Sequence, residues 1–164
     1  MTFKTGAVLV DDDSAGDKFL HGRNQPTKKH NISDMAEVVS FTDQELDALK
    51  LLHYGSSNKQ FLKTFRELRT KLDQKVDNNY VCMVSSVTAG GGASYVAENL
   101  AAAIALDRTK TALVIDCNLY SPSIDKLLTT VPEVGLTDYL YSDDVRVEDI
   151  IYASGIPRLR VIPG

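Results

Sequence analysis

Three consecutive glycines, Gly90, Gly91 and Gly92, followed by Ala93, Ser94 and Tyr95, form the stretch of this chain whose residue types and spacing most directly suggest chemistry. They lie between an apolar run, "YVCMVSS", and a helix-like run, "ASYVAENLAAAIAL". A turn of this kind can hold a phosphate, because its successive backbone N–H groups point inward and the helix N-terminus adds partial positive charge. Glycines let that backbone take positive φ and come close to the ligand. Ser94 stands where a hydroxyl would coordinate a magnesium ion. In the pattern G-x-x-x-x-G-K-[ST] a lysine then reaches the β and γ phosphates, but here Ala93 holds the lysine position and Val87 the first glycine position. A methyl group cannot replace an ammonium. By itself the loop fits a glycine turn without a ligand equally well.

The elements around the loop are legible from their periods. "YVCMVSS" from Tyr80 is a short β-rich run, a helix is expected from Ser94 to about Asp107, and "TALVID" is a second buried strand, which together make a βαβ unit. Downstream, "PSIDKLL", with Pro122 suited to a first helical turn, "GLTDYLY" and "RVEDIIYA" read as short helical pieces, and "RLRVIPG" as one more strand. The expected sheet has three strands. Upstream, Thr42 and Glu45 form a capping box for a helix carrying Leu46, Leu49 and Leu52 on one face, with Gly55 as its stop. A second helix from near Ser57 repeats Phe61, Phe65, Leu68 and Leu72 on a buried stripe and carries Lys63, Arg66 and Arg69 on another face. Tyr80, Tyr139 and Cys82 are expected to pack, and Cys117 to be structural rather than reactive.

The chain has 164 residues, 43% hydrophobic and 24% charged, which suits one globular domain with a real core. Residues 1–40 lack a sustained apolar period and are expected to be a mobile tail, leaving 41–164 as the domain. Within that tail the acidic run Asp11, Asp12 and Asp13 and the basic patch Lys28, Lys29 and His30 read as solvated segments. No apolar run approaches a bilayer span, the start lacks a secretory h-region, and two cysteines form no framework, so the expected compartment is the cytoplasm. A formal net charge of -4 argues against nucleic acid as a partner.

Three ordered stretches resemble the bacterial tyrosine kinases and the related domains that control capsule and exopolysaccharide chain length, a branch of the ParA- and MinD-like deviant P-loop ATPases. "FRELRTKL" resembles the family's R-x-L-R-T-N-L helix. "VSSVTAGGGASYVAENLAAAIAL" resembles S-x-x-P-G-E-G-K-S-x-x-A-x-N-L-A, with Ala97, Asn99, Leu100 and Ala101 in register. "ALVIDCNLYSPSIDKLL", followed by "GLTDYL" and "RLRVIPG", resembles L-L-I-D-x-D-x-R-x-P, G-L-x-D-x-L and L-x-V-L-P-A-G. The resemblance covers about Phe61 to Gly164. It implies an α/β fold, a P-loop NTPase-like, doubly wound, mainly parallel sheet, incomplete at the C-terminus because the family's Walker B strand and tyrosine-rich tail would follow Gly164. It also implies a nucleotide site at Gly90, Gly91, Gly92, Ala93, Ser94 and Tyr95, with Ser94 and Asp116 toward magnesium.

The departures shape the expected function. Ala93 replaces the family's lysine, Asn118 replaces the second aspartate of its D-x-D pair while Asp116 is retained, and Tyr120 stands where the family has arginine. An amide can be neither a general base nor a charged magnesium ligand. Phosphoryl transfer rests on positioning and electrostatic stabilisation, so losing one cation and one anion points to a pseudokinase that binds ATP or ADP with magnesium weakly or not at all. The family's oligomer-forming E-x-x-R-x-x-R maps to Lys63, Arg66 and Arg69, where the charge reversal at Lys63 speaks against a closed homo-oligomeric ring and leaves room for a hetero-partner supplying the acid. The expected role is regulation of exopolysaccharide or capsule synthesis and export, at the cytoplasmic side of the inner membrane, through a membrane chain-length regulator as partner. The alternatives are an active tyrosine autokinase or ATPase and a ParA- or MinD-type positioning ATPase. Thr88 at the latter group's signature lysine counts against that last reading. Lys110 and Arg108 are poor substitutes for the missing lysine, since a helix of about fourteen residues puts them roughly 20 Å from the loop.

Overall fold

The computed structural model describes residues 5–12, 39–76 and 79–164. Five strands form a single sheet in the order β2-β1-β3-β5-β4: β1 Thr5–Asp12, β2 Tyr80–Ser85, β3 Lys110–Asp116, β4 Tyr152–Ala153 and β5 Leu159–Ile162. The helices are α1 Asp43–Ala48, α2 Lys59–Asp73, α3 Ala93–Ala105 and α4 Leu136–Tyr141, with 3-10 turns at Asp125–Leu127 and Val147–Ile150. The protein is thus mixed α/β. The three strands expected from the sequence are β2, β3 and β5.

The sheet is mixed, which corrects the expectation of a mainly parallel one. β3 pairs with β5 in parallel, but β1 is antiparallel to both β2 and β3, and β4 is antiparallel to β5. β2 and β3 therefore run in the same direction, as a βαβ unit requires, with β1 placed between them. The source of β1 is the segment read as a tail. Its apolar stretch "GAVLV" is long enough for one strand, and two flanking strands satisfy its backbone donors and acceptors along nearly its whole length. Asp13 and the basic patch Lys28, Lys29 and His30 lie outside the described residues.

Local chemistry sets the helix ends. Thr42 Oγ1 accepts from the Glu45 N–H at 3.3 Å, and the Glu45 carboxylate accepts from the Thr42 N–H at 2.8 Å, closing the expected capping box. α1 stops earlier than expected: Lys50 has φ 57°, so the chain leaves the helix before Gly55. Asn58 caps α2 by accepting from the Phe61 N–H at 3.0 Å. The piece "PSIDKLL" contracts to the 3-10 turn, and "RVEDIIYA" divides into a 3-10 turn and β4.

The core lies where α3 covers one face of the sheet and α2 packs on α3. Leu62 and Phe65 of α2 meet Leu100 and Ile104 of α3 and Val114, Leu159 and Val161 of the strands in one buried cluster. Ala101, Ala102 and Ala103 are fully buried, and their small side chains let α3 lie close to its neighbours. Asn99 fastens this helix to the α1–α2 connection: its Oδ1 accepts from the Leu52 N–H at 2.9 Å, and its Nδ2 donates to the Lys50 and Tyr95 carbonyls at 3.2 and 3.0 Å. No helix among the described residues is long and apolar enough to cross a membrane.

Candidate functional site

The C-terminal ends of β2, β3 and β5 share one edge of the sheet, the edge at which parallel α/β sheets present their loops. From β2 the chain enters the glycine turn. Gly90 and Gly92 have φ of 74° and 87°, in the left-handed region where a side chain is strained. A Cβ on Gly91 would sit 2.8 Å from Ser86 Cβ and 3.0 Å from the Thr88 carbonyl oxygen, so the turn closes only around a glycine. Gly92 is the N-cap of α3 and no side chain caps the helix, which leaves first-turn N–H groups directed out of its N-terminus.

The second wall is the segment that follows β3. Asp116, 5% exposed, accepts through Oδ1 from the Asn118 N–H at 3.0 Å and through Oδ2 from the Ser123 N–H at 2.8 Å. Its carboxylate therefore organises the whole turn. The Ser123 hydroxyl donates to Ser94 Oγ at 3.4 Å, which joins this segment to the first turn of α3. Asn118 is 3% exposed and donates through Nδ2 to the Ser121 carbonyl, while its Oδ1 has no hydrogen-bond partner among the described residues. The structure thus brings Gly90, Gly91, Gly92, Ser94, Asp116 and Asn118 to one edge of the sheet.

Two expected site residues face elsewhere. Ala93 is 5% exposed and belongs to the packed side of α3, so a lysine introduced there must find new room. Tyr95 stacks on Phe61 with ring centroids 5.9 Å apart, a contact that fastens α2 to α3. Tyr120, at the position of the family's arginine, is 94% exposed. Among the described residues no group of three or more His, Cys, Asp or Glu side chains could hold a metal. Ser94 and Asp116, the residues expected to face magnesium, are linked through Ser123, whose N–H donates to Asp116 and whose hydroxyl donates to Ser94. Cys117 is exposed, and burial together with the Asp116 charge raises its thiol above the ordinary range, which lowers its reactivity.

The three residues on α2 do not act as one patch. Arg69 turns inward and donates through Nη1 to the Ala103 carbonyl at 3.0 Å, binding α2 to α3. Arg66 lies over the Tyr54 ring at 6.0 Å, and Lys63 pairs loosely with Glu67 at 3.7 Å on the exposed face. Lys63 and Arg66 line a groove of about 570 Å³ along α2, together with Lys59 and Lys71.

Sequence reasoning missed an ion pair beside the glycine turn. Glu98 is 1% exposed, four residues after Ser94 on α3, and its Oε2 lies 2.8 Å from Lys126 Nζ. Burial raises the Glu98 carboxyl above its ordinary range; Lys126 pulls it back down and the Asp116 charge adds to the rise. The available signal was a carboxyl inside the otherwise apolar run "YVAENLAAAIAL", which on burial must either pair with a cation or take up a proton. Compared with protein-family models, with curated proteins and with solved structures, the chain matches none of them.

Proposed function

We propose that this protein is a non-catalytic, kinase-like regulator of exopolysaccharide or capsule synthesis and export, built on a P-loop-like frame that keeps a phosphate cradle without the charges for phosphoryl transfer. The observation that carries this reading is the glycine turn itself. Gly90 and Gly92 take positive φ and lead into a helix N-terminus that no side chain caps, beside Ser94 and the Asp116-centred turn. Donor groups aimed outward with no capping side chain fit a phosphate. Against catalysis stand the buried Ala93 and the un-ionisable Asn118, because a transferring phosphoryl group needs a fixed cation and a charged metal ligand.

In this reading the protein works by docking. It sits at the cytoplasmic side of the inner membrane against a chain-length regulator, and the groove along α2 that contains Lys63 and Arg66 suits an acidic partner segment. ADP or ATP binds weakly, with magnesium, and holds the loop edge in one arrangement.

The test combines chemistry and phenotype. Purified protein incubated with ATP and magnesium is expected to show no phosphotyrosine by mass spectrometry, and deleting the gene is expected to change the amount or the chain length of surface polysaccharide. Phosphotyrosine on the purified chain would restore the active-kinase reading. Unaltered polysaccharide in the deletion strain would remove the regulatory one.

A further inference from the structure

The glycine turn lacks a lysine of its own, yet a cation from a different element pairs with the helix that follows it. Lys126 belongs to the 3-10 turn Asp125–Leu127, and its ammonium pairs with Glu98 at 2.8 Å. Glu98 follows Ser94 by four residues, so the two share one face of α3 about 6 Å apart along the axis. Ser123, three residues before Lys126, already touches Ser94, which places this whole segment against the first turn of the helix. A lysine side chain spans about the same distance as one helical turn, and that of Lys126 is 39% exposed.

We propose that Lys126 is the phosphate-binding cation of this protein: it rests on Glu98 while the glycine turn is empty and moves onto the terminal phosphate of a nucleoside diphosphate held there. This rests on the phosphate-cradle reading above. Asn118 Oδ1, in the segment that meets the first turn of α3, is buried without a hydrogen-bond partner among the described residues, while the helix N-terminus has donors directed outward. A diphosphate supplies acceptors to those amides. Glu98 explains why the ammonium stays close: a buried carboxylate holds its counter-ion next to it, and the ligand competes for the same charge.

The experiment is calorimetric titration of ADP with magnesium, and of pyrophosphate as a base-free probe, into the full chain and four variants. Circular dichroism and thermal melting confirm that each variant is folded. Lys126→Met is expected to weaken both ligands at least about tenfold, the usual loss for one charge-assisted contact. Glu98→Gln, which releases Lys126, is expected to tighten both. The double variant Glu98→Gln with Lys126→Met removes the pair without leaving a lone buried charge, and is expected to bind as weakly as Lys126→Met. Gly91→Val is expected to abolish binding. Wild-type binding that the double variant retains in full, with Gly91→Val still inactive, overturns the role of Lys126 and leaves the cradle standing. A Lys126 effect confined to ADP also overturns it, since a phosphate contact must serve both probes. Binding that survives Gly91→Val, or none by either the wild type or Glu98→Gln, overturns the cradle reading as well.

Discussion

The two loops that meet at the C-terminal edge of the sheet divide the work of the site between backbone and side chain. The β2–α3 loop contributes conformation: positive φ at Gly90 and Gly92, a close approach at Gly91, and a helix N-terminus, but no charged side chain. The segment after β3 contributes charge and order. Asp116 holds its backbone through two hydrogen bonds, Asn118 and Ser123 build the turn, and Lys126 brings a cation. The first loop is thus shaped by backbone conformation and the second by side-chain hydrogen bonds and an ion pair.

The largest expected effect tests whether the second loop truly depends on its carboxylate. Asp116→Ala leaves the Asn118 and Ser123 N–H groups without their acceptor in a buried setting, and should lower stability by about 3 kcal/mol in urea denaturation. Gly92→Ala should cost less, about 1–2 kcal/mol, since it forces one side chain into the left-handed region with nothing within 4 Å of its new Cβ. A Gly92 loss exceeding the Asp116 loss would reverse the comparison and make the glycine loop the structural keystone.

A subtler test is the pH profile. Because burial raises the folded-state Glu98 carboxyl, its contribution to stability is fully present below about 4.5 and is lost as pH rises through the higher folded value. The groups facing it are Lys126, which opposes the rise, and Asp116, which adds to it. Subtracting the Glu98→Gln profile from the wild-type profile should therefore leave a stability difference that declines with rising pH across that window. A flat difference would mean that Lys126 compensates the buried charge completely. The smallest effect is expected far from both loops: Lys63→Ala removes only an exposed i,i+4 pair with Glu67 and should change stability by less than about 0.5 kcal/mol. A larger loss there would show that the α2 face is tied to the fold.

Much of the site's frame was legible because it depends on local rules. The capping box at Thr42 and Glu45, the apolar stripe of α2, the strand–glycine–helix order and the turn of Gly90, Gly92 and Ser94 follow from period and turn chemistry, whereas Asp116 joined them only through the family resemblance. The expected ends of the short helical pieces were less secure, since a few residues can close either a 3-10 or an α turn and packing decides which. Arg69 illustrates the same limit. Its place on the cationic stripe is visible in the sequence, but only the approach of α3 turns its guanidinium to the Ala103 carbonyl.

What the sequence determined by itself is α2, α3, the strands β2, β3 and β5 and the glycine turn between β2 and α3, because helix caps, hydrophobic periods and positive φ are properties of neighbouring residues; β1 and β4 were not among the expected elements. What the tertiary structure alone decided is the sheet order, in which β1 enters antiparallel between β2 and β3, and the pairing of Lys126 with Glu98. Strand order is set by which distant segments satisfy each other's backbone hydrogen bonds. A buried carboxylate likewise takes whatever cation the fold brings within reach, and neither choice is written in the spacing of adjacent residues.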